Sequence, residues 1–467
     1  MIAKTELRTT SLINVSGIFP DLAQVGDFDA PRSEIGIGSL MPWNSMLYVQ
    51  NYNSHKAGSG SGVSLRRIAP DLSMEIVPET MGVDGTYTNR YIHYQSGKLV
   101  LGPHVIDSKH NIKTVSILRH ERLCGTALHI SKPETHVYVL TMEGELFELN
   151  VYTLECVKVF DLNEELNTEG EWKVHYKDCY SCFGKLVVCS NEYGEDDWSK
   201  KQERGRLAEY DGSQWRILEK KPFTAISGRS EFGGTIFATG WDQASAIMEV
   251  YTASDNKWTR YRLPKASHCF DHKWQTEWPR IREVEHERLL MDHHGLFYEL
   301  SPWAYGGRIW GVRPVSTHLA VFGDFCSWRG MLVAGADNAS PSHGLNSTTA
   351  EPQSGLWFGK TDDLWTWGKP AGWGGPWWQE PVVPETPSDP YLMTGFEHKC
   401  LHIDVEDDAT ITLEIDFHGH GKFLSSQQFH VKSNQAFTHV FPEGFSCHWV
   451  RLRISRQTIA SAQFVYT

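Results

Sequence analysis

A unit of strand, tight turn and strand recurs about seven times between residues 46 and 368, and no other feature limits the fold so sharply. One copy reads VYVLTMEGELFELN at 137–150: an apolar strand, an acidic-glycine turn, a second strand. Others are KLVVCSN with GRLAEYDGSQWRIL (185–191, 205–218), TIFATGWDQASAIMEVYTASDNKWTRYRL (235–263), LLMDHHGLFYELS (289–301), and GMLVAGADN with GLWFGKTDDLWTWG (330–338, 355–368). MLYVQNYNS (46–54) and KLVLGPHVIDSKHNIKTV (98–115) fit the same frame. The leading strands begin near 46, 99, 137, 186, 235, 289 and 331, a mean step of about 48 residues, the span of one β-propeller blade. The expectation is an all-β, seven-bladed propeller. Such a ring gathers loops from every blade around one mouth, so its functional residues lie far apart in sequence.

The chain has 467 residues, enough for one large all-β domain or two smaller ones. Residues 1–395 read as the propeller, with a loop-rich stretch over 1–44 that either closes the ring or packs beneath it. Residues 396–467 change character: KCLHIDV, ATITLEIDF, QQFHV, HWVRLRIS and ASAQFVY alternate as strands that either complete the last blade or form a small sandwich. Between them, 369–395 is rich in Pro, Gly and Trp and reads as an ordered loop with little regular structure. Helical periodicity is confined to 160–172, with Asn163 as the candidate cap.

Charge and composition exclude several classes. A net charge of −13 argues against a nucleic-acid or anionic-membrane partner. It also repels an acidic sugar at long range, so such a ligand needs a local cluster of arginines. Eighteen Trp and 40 Gly suit stacked sheets and also sugar-binding platforms. Of nine cysteines only Cys179 and Cys182 form a CxxC, and no second pair completes a zinc ribbon, so most read as buried free thiols. No apolar run is long enough for a membrane helix and no signal-peptide core stands at the start. As it stands the sequence reads as cytoplasmic; the alternative is a secreted or periplasmic form whose signal has been removed, to which the sequons at Asn14, Asn338 and Asn346 lend slight support.

Four places carry candidate chemistry. In NRYIHYQSGKLVLGPHVID (89–107), a turn through Gln95–Lys98 sets Asn89 opposite His104, where an amide can fix the imidazole tautomer; His93 then falls opposite Val100, too far along the strand to share a proton with His104. In 190–212 a polar excursion can hang Tyr193 over the mouth before the strand that opens at Arg206; a phenol can protonate a leaving oxygen and a guanidinium can pair with a carboxylate. In QTEWPRIREVEHER (275–288), alternation puts Arg280 and Arg282 on one face beside Trp278, with Glu283, Glu285 and Glu287 available for a surface ion-pair ladder. FGDFCSWRG (322–330) adds Arg329. His268, His272, His293, His294, Cys326 and His398 fall near strand ends and are candidate ligands for a structural metal.

These segments, with ATGWD, LPKASH, MDHHGLFYEL, DFCSWRG and the ending HWVRLRIS…AQFVY, resemble in their order the seven-bladed enzymes of polysaccharide lyase family 42, formerly glycoside hydrolase family 145. Those are L-rhamnose-α-1,4-D-glucuronate lyases related to the ulvan lyases of family 24. The likeness spans roughly residues 80–467. It implies β-elimination beside a uronate carboxylate in a uronate-containing oligosaccharide or polysaccharide, with no cofactor for the chemistry. The GPH histidine maps onto His104, the loop tyrosine onto Tyr193 and the strand-opening arginine onto Arg206. Asn89, Tyr87, Arg280, Arg329 and Trp278 are the implied substrate contacts. The ulvan lyases imply a structural zinc (or calcium), with His268, His294 and Cys326 as its ligands. One departure stands out: where the lyases place a second histidine, this chain has DGTYTNR (84–90), so Tyr87 substitutes, or the specificity differs, or the reaction is lost.

The mechanism needs an Arg to stabilise the enolate-like charge, a base near neutral pKa at C5, and a proton for the departing oxygen at C4. Two rivals remain at this level: a glycoside hydrolase built on two of Asp84, Asp107, Asp242, Glu277 and Asp324, and a non-catalytic carbohydrate-binding propeller.

Overall fold

Strands such as KLVL at 98–101 and KLVVC at 185–189 are apolar on both sides, so each needs a neighbouring sheet against either face. The tertiary structure supplies both. Leu99 and Leu101 pack toward Tyr48 and Leu65, whereas Val100 between them packs toward Leu123 and Val139. Val188 joins Tyr138 and Leu140, and its neighbour Val187 joins Phe223 and Ile236. The period of two is present, but it separates one apolar neighbour from another rather than core from water. Each fully buried Leu or Val in these seams contributes roughly 1.5–3 kcal/mol.

The computed structural model describes residues 35–53, 65–83, 85–168, 174–192, 205–230, 234–267, 279–304, 308–340, 351–384 and 386–467. Within them lie seven antiparallel blades in chain order: residues 35–76, 90–114, 122–161, 174–219, 223–263, 280–317 and 322–359. In each blade sheet order follows sequence order. Blade 7 has three described strands, Phe322–Trp328, Met331–Ser340 and Glu351–Gly359. Blade 3 gains a short parallel strand, Thr86–Tyr87, beside Arg122–Leu128. Apolar seams join every adjacent pair of blades, and the last of them packs Cys326 and Val333 of blade 7 against Ile37 and Leu47 of blade 1, closing the ring.

The leading strands expected from the repeat are the second strands of their blades. The first strands lie innermost, where that of blade 3 neighbours that of blade 4 and so on around to blades 7 and 1. Residues 35–43, in the stretch read from sequence as loop-rich and as closing the ring or packing beneath it, do close the ring, but as the innermost strand Ile35–Trp43, whose Gly and Pro residues conceal the alternation. The second correction concerns 369–395. Gly372–Val382 is an eleven-residue strand paired with Thr458–Tyr466, interrupted by bulges that its Gly and Pro residues impose. A third concerns the short helix, Leu162–Glu165, which is capped by the Asp161 side chain on the backbone N–H of Asn163, not by Asn163.

The C-terminal strands form a sandwich. One sheet holds Gly372–Val382, Thr458–Tyr466, Lys399–Val405 and Phe437–Val440; the other holds Tyr391–Leu392, Trp449–Ile454, Ala409–Asp416 and Leu424–Val431. The second sheet continues blade 5 through the pairing of Arg262 with Tyr391. Its core includes Leu401, Ile411, Val450 and Phe464, with the rings of Tyr391 and Phe464 stacked 5.1 Å apart. Trp449 docks it onto the propeller: its ring lies 4.8 Å from that of Tyr261 and its Nε1 donates to Ile309 O at 2.8 Å.

Candidate functional site at the propeller axis

The innermost strands carry a buried charged centre. A bulge between Phe322 and Asp324 in blade 7 turns the Asp324 carboxylate toward the neighbouring blades. Its Oδ2 accepts from Leu40 N of blade 1 at 2.9 Å, and its Oδ1 from Phe325 N and from Arg282 Nε of blade 6, each at 2.9 Å. Arg90 Nε of blade 2 stands 3.3 Å from Oδ2. Burial drives the Asp324 pKa up, but Arg282, Arg90 and Arg280 outweigh it and hold the group below the ordinary carboxylate value.

Arg280 completes the centre. It is 3% exposed and its Nε donates to Gly323 O at 3.1 Å. Burial, then the positive charge of Arg282, lowers its pKa to about 10, with Asp324 and Asp178 opposing. Arg90 is lowered to about 10 by burial and again by Arg282. Asp178 sits at a similar bulge in blade 4, accepts from Ile226 N at 3.0 Å, and keeps part of its surface accessible. Among the described residues, three guanidiniums thus face two carboxylates. Guanidiniums do not deprotonate in proteins; burial and their mutual repulsion disfavour the charges of Arg90 and Arg280, and an anion beside them would offset this. Alternation had put Arg280 and Arg282 together; it could not say that they point at Asp324 while Glu283 pairs with Arg229 on the outside.

The residue before Arg90 connects this centre to His104. Asn89 Nδ2 donates to Gly102 O at 3.1 Å and to Thr126 Oγ1 at 2.8 Å, and no donor reaches its buried Oδ1 among the described residues. Gln50 lies against the other side of Gly102: a Cβ there would fall 2.3 Å from Gln50 Nε2, which is likewise buried without a partner among the described residues. His104 is 2% exposed, its Nδ1 stands 2.9 Å from Thr114 Oγ1, and its ring meets the edge of Tyr87 at 6.5 Å. Burial lowers its pKa to about 3, so it is a neutral imidazole. The Tyr87 hydroxyl donates to Arg119 O at 2.5 Å.

The register of this hairpin differs from expectation. His93 pairs with Lys98 and Arg90 with Leu101, around a turn at Tyr94–Gly97. His104 opens a third strand, His104–Ile106, because Gly102 takes φ 56° and Pro103 lacks an N–H, which ends the second strand at Leu101. Asn89 and His104 therefore approach the same Gly-Pro turn without being cross-strand partners.

Up-and-down connectivity sorts the other candidates. Asn89, His104, Arg206, Arg280 and His294 all lie where chains enter a blade or pass from its second to its third strand, which is one end of the ring. Arg329, between the first two strands of blade 7, lies at the other end; it donates to Pro70 O and rests on the Trp328 ring, so its place does not support a contact shared with His104. Arg206 gives Nε to Leu166 O at 3.2 Å, one terminal nitrogen to Gly205 O at 2.7 Å and the other to Asn167 O at 3.2 Å, capping the short helix before blade 4. Tyr193, Trp278 and His268 lie outside the described residues.

Of the proposed metal ligands, only His294 and Cys326 lie within the described residues. His294 Nδ1 is 3.3 Å from His293 Nδ1 and its ring packs near Trp241, whereas Cys326 sits in the seam of blades 7 and 1 beside Arg90. Burial pushes the Cys326 thiol up to about 12. Among the described residues no three His, Cys, Asp or Glu side chains are grouped to hold an ion.

Arg90 and Gln50 were missed from sequence. Arg90 stands inside NRYIH and carries no signal of its own; only ring closure brings it to Asp324.

No protein-family model matches this sequence, and neither does any curated protein sequence. Among solved structures the chain is similar to U3-55K, at 10% identity and a TM-score of 0.42, over 73% of this chain and 99% of that one. It is also similar to a luciferin-regenerating enzyme, at 8% identity and 0.38 over 73% and 94%. A third is the Swd1 β-propeller domain of Myceliophteria thermophila, at 9% and 0.39 over 69% and 96%.

Proposed function

We propose that this chain is a carbohydrate-active lyase that takes a uronate-bearing oligosaccharide and breaks the glycosidic bond at C4 by β-elimination, releasing terminal L-rhamnose from rhamnosyl-α-1,4-glucuronate. The observation that supports the reading is the cluster of three guanidiniums at the axis, joined through Asn89, the neighbour of Arg90, to the Gly102 turn that precedes His104. Arg90, Arg280 and Arg282 are the groups that would meet the uronate carboxylate and stabilise the charge that spreads onto it as C5 loses its proton. Asn89 Oδ1 and Gln50 Nε2, both without a partner among the described residues and both beside Gly102, offer one acceptor and one donor, which suits a sugar hydroxyl.

His104 is the base of this reading. With Nδ1 engaged by Thr114, Nε2 is the nitrogen left to take the C5 proton. An imidazole at a pKa of about 3 is a weak base, but a uronate anion beside it raises that value toward the working range. The electron pair of C5–H forms the 4,5 double bond, the C4–O bond breaks, and the departing oxygen takes a proton from Tyr193 or water. The Tyr87 hydroxyl donates to Arg119 O, which weighs against its taking the place of the absent histidine. The hydrolase reading is weakened at Asp324, whose two oxygens are held by backbone N–H groups and arginines.

The test is incubation with rhamnosyl-glucuronate and with ulvan oligosaccharides, reading product mass and ultraviolet absorbance together. Elimination releases sugar without adding water and creates an absorbing double bond. Products heavier by one water would refute the lyase reading in favour of hydrolysis, and binding without products would leave a lectin-like propeller.

A further inference from the structure

The loop after strand Ala409–Asp416, in the sandwich, is folded by its own first residue. Asp416 is 2% exposed, and its carboxylate accepts from Gly419 N at 3.0 Å, His420 N at 3.2 Å and Gly421 N at 2.6 Å. Gly419 and Gly421 take φ of 73° and 75°, the left-handed conformation that such a tight wrap requires. The negative charge is thereby turned inward onto backbone donors. Phe417 and His418 are exposed, and His420 and Lys422 stand on the same open loop.

What those side chains make is an aromatic and cationic surface. Phe417 is 63% exposed and meets the His418 ring at 4.9 Å; the His418 and His420 rings lie nearly parallel, 5.5 Å apart. From blade 6, Arg308 leans over the loop so closely that a Cβ on Gly421 would come within 3.0 Å of its side chain. Lys422 stands on the same rim, and the walls enclose a cleft of about 670 Å³. Beneath, His448 presses on Gly419, and no partner reaches its buried Nε2 among the described residues. Two permanent cations and an open phenyl face are gathered on a molecule whose net charge is −13. An aromatic of this exposure stabilises little in the fold; beside cations it suits a ligand with a flat apolar face and a negative substituent.

We infer that this cleft at the junction of blade 6 and the sandwich is a second, non-catalytic binding site for an anionic saccharide, with Phe417 stacking on a sugar face and Arg308 and Lys422 pairing with its carboxylate or sulfate groups. It lies outside the axial centre and stands whether or not the chain is a lyase. Its effect would be to hold an acidic polymer near the protein against the repulsion of the overall charge.

The experiment uses the whole chain in affinity electrophoresis through gels containing polyglucuronate, dextran sulfate or neutral dextran. Retardation is expected with one or both charged polymers, not with neutral dextran, and it should weaken as salt rises. Phe417→Ala and Arg308→Ala are each expected to weaken it about tenfold, with unchanged melting temperature. The Phe417→Ala/Arg308→Ala pair should turn over the short rhamnosyl-glucuronate at the wild-type rate, so failure here is distinguishable from failure of the lyase reading. Absence of retardation by either charged polymer, or retardation unaffected by the Phe417→Ala/Arg308→Ala pair, would overturn the assignment.

Discussion

Replacing Asp324 by Asn tests the axial centre at its most constrained point. The carboxylate is fully buried and holds two backbone N–H groups and two guanidiniums through two oxygens. An amide keeps one acceptor oxygen and turns an N–H₂ toward groups that are themselves donors. Arg90, Arg280 and Arg282 then lose their main counter-charge inside the ring. Breaking a buried pair by removing one partner costs about 3–5 kcal/mol. Unfolding entropy of about 2.1 cal/mol/K per residue gives about 1 kcal/mol/K for a chain of 467 residues, so the melting temperature should fall by about 3–5 °C. The sign with pH follows from the depressed carboxyl. Because the folded pKa lies below the unfolded value of about 3.9, the stabilisation is complete above that value and is lost as pH falls through the folded one. Calorimetry from about pH 3 to about pH 7 should therefore show the wild-type and Asp324→Asn curves converging at the acid end. Added glucuronate should raise the melting temperature of Asp324→Asn more than that of the wild type, since an anion can occupy the vacated charge position. A variant that melts within about 1 °C of wild type, with no gain from glucuronate, would refute the claim that this carboxylate balances the centre.

Further outcomes are expected elsewhere. Arg262 is 3% exposed and joins Asp242 at 3.0 Å to Asp389 at 2.9 Å; Arg262→Ala should cost about 3–5 kcal/mol and make 383–390 the first site of limited proteolysis, and an unchanged digestion pattern would show that the pair does not hold the sandwich to blade 5. Gly102→Ala forces a side chain into φ 56° and against Gln50, so a loss of at least about 1–2 kcal/mol is expected, read by denaturant unfolding. For His104 the folded pKa is depressed to about 3, so the unfolded chain binds more protons below its own value near 6.5 and stability falls as pH drops through that window; His104→Gln should flatten this limb, and a limb of unchanged slope would exclude His104 as its source. Arg206→Ala should lower the melting temperature through the helix cap while leaving elimination measurable, and complete loss of turnover at full stability would instead restore Arg206 to the chemistry.

The architecture was legible because it is repetitive. Seven apolar strands at a near-constant step need seven sheets with neighbours on both faces, and a closed ring meets that need. Of the candidate residues, Asn89, His104 and Arg280 were read from the sequence as lying at strand ends, and the structure places all three at one end of the ring. Other readings were lost to local backbone events. Pro103 and Gly102 broke the hairpin and shifted its register, and the bulges of Gly372–Val382 hid a strand inside a Gly- and Pro-rich stretch. The contacts of Arg206 with Leu166 O and Asn167 O were not legible, because those carbonyls lie some forty residues away in sequence.

Taken alone, composition and periodicity determined the class of fold, the number of blades and the sign of the long-range field. These follow from local alternation and from sums over the chain, which need no knowledge of who faces whom. Only the closed tertiary structure decided that Arg90 meets Asp324 across 234 positions, that the C-terminal strands form a sandwich pinned to blade 5, and that Phe417 and Arg308 share one cleft. Such pairings depend on bulges, turns and ring closure, where a shift of one residue exchanges the inward and outward faces of a strand.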